Sequence, residues 1–94
     1  MSEEEEFKLL LKESRRSSDY NAFGSLLEYV SKDPKKYAGD VLVLAAELTK
    51  RKAMSSSEEG AKEIASAFMN LYNIYKEYAS EETLEKVREI LKTI

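Results

Sequence analysis

The run Val41-Leu42-Val43-Leu44-Ala45-Ala46 constrains this chain more than any other feature. A helix carrying it is apolar on nearly every face, so it must be surrounded by other helices. The run is far shorter than the ~20 residues a membrane span needs. Helical spacing of apolar residues continues on both sides of it, and no stretch alternates as a strand does. With only three Gly and one Pro to interrupt them, these segments predict a single all-α domain over 1–94. Its architecture is expected to be an irregular bundle of five, or six, short-connected helices packed around the central apolar one.

The boundaries follow from capping chemistry. A first helix over about 3–16 opens with Ser2-Glu3-Glu4-Glu5, where Ser2 caps and Glu5 can reach back as a capping box. Phe7, Leu10 and Leu11 form its apolar stripe, with Leu9 on the flank, and Arg15 and Arg16 suit the negative end of its macrodipole. Ser17-Ser18 is a short break before a second helix over about 19–32. Its stripe is Phe23, Leu26, Leu27 and Val30, joined by Tyr20 and Ala22, and Glu28 is spaced to pair with Lys32. Asp33 then caps and Pro34 takes the first position of the next helix. Gly39-Asp40 reads as a left-handed glycine followed by a new cap, giving a one-turn helix over 34–38 and a separate one over 40–54. A single helix over 34–54 that tolerates Gly39 is the alternative. Ser56 and Glu59 are spaced as a second capping box for a fourth helix over about 57–78. Its stripe is Ala61, Ile64, Ala65, Phe68, Leu71, Tyr72, Tyr75, Tyr78 and Ala79. Ser80 caps the last helix, where Leu84, Val87, Ile90, Leu91 and Ile94 face inward and Glu82 is spaced to pair with Lys86 outside.

Composition excludes much chemistry. The 94 residues contain no Cys and no His, which removes disulfides, thiolate zinc sites, cysteine nucleophiles, the commonest metal ligand and the usual base near neutral pH. Phosphate-binding glycine motifs are absent, and no EF-hand loop or Glu-x-x-His metal pattern occurs. The chain carries 15 Lys+Arg against 18 Asp+Glu, a net charge of −3. Its one basic cluster, Lys50-Arg51-Lys52, is small for a nucleic-acid face. A helix-turn-helix reading would also turn Glu58 and Glu59 toward phosphate. No secretory signal is recognisable in the acidic N-terminal segment, and a soluble protein is expected with its compartment open.

The remaining features have plain structural readings. Glu3 to Glu6 serve the first helix dipole and solubility. Ser66, Asn70, Asn73 and Glu77 form a solvated polar stripe, and Gly24 and Gly60 are expected at close helix crossings. The aromatic stripe of Phe68, Tyr72, Tyr75 and Tyr78 reads as a core rim with wet hydroxyls. Were a partner groove present, that stripe with Tyr20, Tyr29 or Tyr37 is its expected place.

Set side by side, the helix starts Ser2-Glu3-Glu4-Glu5, Asp33-Pro34-Lys35-Lys36, Ser56-Ser57-Glu58-Glu59 and Ser80-Glu81-Glu82-Thr83 place acids in first turns, while bases gather in last turns. With mixed Glu/Lys/Arg surfaces and short connections, the whole chain resembles computationally designed all-α proteins. Gly24, Gly60, Asn70, Asn73 and Met54 depart from an idealised up-down bundle. The resemblance implies a de novo designed protein whose purpose is its structure, monomeric, not an enzyme. It also implies no catalytic, metal or cofactor-binding residues, no cofactor, and no nucleic-acid, membrane or other partner. The alternative is a small natural helical adaptor binding a partner peptide or helix through an apolar groove, similar in kind to helical-repeat modules. Asp33-Pro34 between amphipathic helices is faintly similar to a tetratricopeptide unit, but no 34-residue period follows.

Overall fold

The computed structural model describes residues 2–17 and 20–92. Ser18, Asp19 and Ile94, and the side chain of Tyr20, fall outside the described residues. Five α-helices are present: α1 (Glu3–Ser17), α2 (Tyr20–Lys32), α3 (Pro34–Met54), α4 (Glu58–Tyr75) and α5 (Glu81–Leu91). A single 3-10 turn, Lys76–Tyr78, follows α4. No strand occurs among the described residues, and the chain is a single all-α domain.

The apolar run becomes the spine, because α3 packs against α1, α2, α4 and α5. Two buried clusters form on its two sides. Tyr37, Ala38, Val41 and Leu44 meet Phe7 of α1 and Leu26 and Val30 of α2. Leu42, Ala45 and Ala46 meet Phe68 of α4 and Leu84 and Val87 of α5. Phe23 and Tyr75 reach into both clusters. Leu26, Leu42 and Leu44 are completely enclosed, each contributing about 1.5–3 kcal/mol of burial. Apolar stripes on α1, α2 and α5 bury as their spacing predicts, with Leu9 left exposed.

The break expected at Gly39-Asp40 does not form: α3 runs unbroken from Pro34 to Met54. Continuity keeps Tyr37, Val41, Leu44 and Leu48 on one stripe against the first cluster, which offsets the roughly 1 kcal/mol that an interior glycine costs. A Cβ on Gly39 would stand 3.5 Å from Thr83 Cγ2, an ordinary contact distance, so the position has room for one. The close crossings expected at Gly24 and Gly60 are likewise absent. Nothing lies within 4 Å of a Cβ on Gly24, and one on Gly60 would meet only Ser56 and Ser57 beside it.

Caps fix the ends. The Glu5 N–H donates to Ser2 Oγ (3.2 Å), and the Thr83 N–H to Ser80 Oγ (3.1 Å). At α4 the cap is Ser57 rather than Ser56, since the Gly60 N–H donates to Ser57 Oγ at 3.1 Å. Ser56 is committed backward, its hydroxyl donating to the Lys52 carbonyl at 2.7 Å. Asp33 occupies the cap position of α3, but its side chain makes no capping bond; its carbonyl accepts from the Lys36 and Tyr37 N–H groups instead. The fourth helix stops at Tyr75 and tightens into the 3-10 turn. That change of register leaves Tyr78, expected inside, 36% exposed.

Charges tie helices together more than they decorate single ones. Arg15 pairs with Glu47 at 2.7 Å, and Lys36 with Glu4 at 2.7 Å. Arg51 Nη1 donates to the Arg15 carbonyl at 2.8 Å, so one residue of the basic cluster holds the end of α1. Of the acidic run, Glu4 binds Lys36 and Glu6 accepts from the Tyr29 hydroxyl at 3.1 Å. The spacing-based pairs Glu28–Lys32 and Glu82–Lys86 do not form among the described residues; on α5, Arg88 pairs with Glu81 and Glu85.

Candidate functional site

α2 and α4 both pack on α3 but scarcely on each other. The gap between them is an open cleft of about 270 Å³. Its floor is Ala45, Leu48 and Thr49 of α3, with Lys52 at one end. Phe23 forms the α2 bank, and Ile64, Ala67, Phe68 and Leu71 form the α4 bank. The lining is almost entirely hydrocarbon, and the volume falls just below the about 300–1,000 Å³ typical of small-molecule sites.

The bank on α4 exists because this helix is apolar over about half its circumference, wider than the roughly 100° stripe that core packing uses. Ala61, Ala65, Phe68, Tyr72 and Tyr75 line the arc facing the spine. Ile64, Ala67, Leu71 and Ile74 form a second line beside it, spaced three and four residues apart. That second line leads out of the protein: Ile64 and Leu71 are half-buried, Ala67 is exposed, and Ile74 is 60% exposed.

The aromatic residues expected to mark a groove divide between the two sides of the fold. Phe68 lines the cleft, whereas Tyr72 and Tyr75 are half-buried against the cluster behind it. Tyr29 and Tyr37 belong elsewhere, stacked with Phe7 at ring-centroid separations of 5.6 and 4.4 Å. Burial and the Glu6 carboxylate hold the Tyr29 hydroxyl pKa above its ordinary value. The Lys36 hydrogen bond holds the Glu4 carboxyl below the ordinary glutamate range, and Glu4 raises Lys36 in return. These perturbed groups make structural contacts around α1.

No arrangement among the described residues suggests a reacting centre. No group of three or more carboxylates converges on a point where a cation could sit. Ser14 is completely buried on the α1 stripe, with its hydroxyl lacking a hydrogen-bond partner. A serine so enclosed is inaccessible to substrate. No helix among the described residues is long and apolar enough to cross a membrane.

Fold and site together define a small all-α module with one apolar surface cleft. Comparison with known proteins adds nothing to that description: no protein-family model, curated protein or solved structure matches the chain.

Proposed function

We propose that the chain is a non-catalytic docking module whose α2–α3–α4 cleft receives the apolar face of a partner helix. The observation that carries this reading is the second apolar line of α4, which continues from the half-buried Ile64 and Leu71 to Ile74 in open solvent. Helix-in-groove recognition uses anchors at this spacing and little polar chemistry.

Backbone amide shifts recorded while an amphipathic helical peptide is titrated in test the reading. Perturbations should centre on Phe23, Leu48, Ile64 and Leu71 and vanish in Ala67→Glu, which puts a carboxylate at an exposed cleft position without touching the core. Shifts confined to α1 and α5, or none at millimolar peptide, would overturn it.

A second reading concerns origin. The serine caps at Ser2, Ser57 and Ser80, with acids in the turns they open, support a designed all-α protein whose purpose is its structure. On that reading the cleft is a packing shortfall that binds nothing, and the same titration separates the two.

A further inference from the structure

Resting on the docking reading, we infer that the occupant of the cleft is a basic amphipathic helix, with lysine or arginine flanking its apolar seam. The seam of α4 follows the three-four spacing of a coiled-coil face, with Ile64 and Leu71 alternating with Ala67 and Ile74. One flank of it is closed, because Phe68 and Tyr75 turn into the core. The other flank is open and carries Glu63, Asn70 and Glu77, all exposed, with Glu59 a turn earlier. Glu63 and Glu77 make no ion pair among the described residues. The lysines of this segment, Lys62 and Lys76, lie on the opposite edge, where Lys76 sits 6.0 Å from the Tyr72 ring centre.

The other borders carry little charge. On α2, Phe23 lines the cleft and is followed by the exposed Gly24. Lys52 is the single cation lining the cleft, at the Ile64 end. The seam thus presents a guest with hydrocarbon bordered along α4 by negative charge. A second copy of this chain fits that pattern poorly. Antiparallel pairing of two such seams sets Glu63 of one against Glu77 of the other, and parallel pairing needs the flank that the core already occupies. A helix with cations at the flanking positions meets the same carboxylates with opposite sign, which raises its association rate and selects it over neutral competitors.

The test uses the full chain and three fluorescent helical peptides with one shared apolar seam, flanked by Lys, Gln or Glu. Anisotropy titration at low salt should rank them Lys, Gln, Glu, with about fivefold or more between the extremes. The gap should shrink in 0.5 M NaCl, a salt level at which exposed charges are strongly screened, with a Debye length of only about 4–5 Å. Glu63→Lys with Glu77→Lys should reverse the ranking, and Glu63→Gln with Glu77→Gln should flatten it; circular dichroism checks that both remain folded. Equal affinity for all three peptides overturns the charge assignment while leaving docking intact. Failure of every peptide overturns the docking reading itself. Concentration-dependent dimerisation abolished by Ala67→Glu would assign the cleft to a second copy and overturn the inference.

Discussion

The three glycines sit in helices for different reasons, and replacing each with alanine separates those reasons quantitatively. At an exposed interior position alanine is more stable than glycine by about 1 kcal/mol, mostly because it restricts the unfolded chain. Gly24 is such a position, with open space within 4 Å of the missing Cβ, so Gly24→Ala should gain that full amount. In a domain this size the gain raises Tm by about 4–8 °C. At Gly39 the new methyl would stand 3.5 Å from Thr83 Cγ2 and 3.7 Å from its Oγ1. Those are ordinary contact distances, so Gly39→Ala should gain about as much. Gly60 differs, since its Cβ would stand 3.2 Å from the Ser57 Oγ that caps α4. Crowding that oxygen threatens a bond worth about 1 kcal/mol, and Gly60→Ala should end within about 0.5 kcal/mol of wild type. Urea denaturation with a common m-value reads all three. A loss of stability in Gly24→Ala, or the largest gain at Gly60, would refute the reasoning. Gly24→Ala and Gly39→Ala should also add to within about 0.5 kcal/mol, having no shared contact.

Other substitutions probe other contacts. Ser57→Ala and Ser80→Ala should each cost about 1 kcal/mol, while Ser56→Ala costs clearly less; equal losses at Ser56 and Ser57 in urea melts would return the cap to Ser56. Ser14→Ala removes a buried hydroxyl that has no partner and should stabilise by about 1 kcal/mol, a gain that thermal melting reads directly. The Glu4–Lys36 pair gives a pH signature. A carboxyl held below its ordinary value near 4.5 contributes above that value and loses its contribution as pH falls through the folded value. Lys36, raised above 10.5, loses its contribution as pH climbs past the ordinary value. The stability difference between wild type and Glu4→Gln should therefore be flat at neutral pH and close at both extremes; a difference that widens in acid would reverse the assignment.

Local chemistry in the sequence foretells much of this fold and little of its cleft. The run from Val41 to Ala46 had to be the spine, and the amphipathic stripes on α1, α2 and α5 had one apolar side to bury. Ser2 and Ser80 each stand alone at a helix start, so their capping role is legible. Ser55, Ser56 and Ser57 all qualify by type, and only the hydrogen bonds decide among them: Ser55 and Ser56 donate back to the Lys52 carbonyl, while Ser57 accepts from the Gly60 N–H. Gly39-Asp40 is locally indistinguishable from a helix end. Its continuity goes with packing at a distance in the chain, where Tyr37, Val41 and Leu44 share a stripe buried against Phe7, Leu26 and Val30. Ile64, Ala67 and Leu71 carry the same spacing signal as core residues. Whether another helix covers that line depends on where α2 crosses the spine, and spacing within α4 holds no such information. The excess breadth of α4's apolar arc was the one visible sign.

The first two helices and the last two all rest on α3, which both buried clusters share. Amide hydrogens on the spine from Val41 to Ala46 should exchange with solvent only on global unfolding, while α1 and α5 exchange through smaller, separate openings.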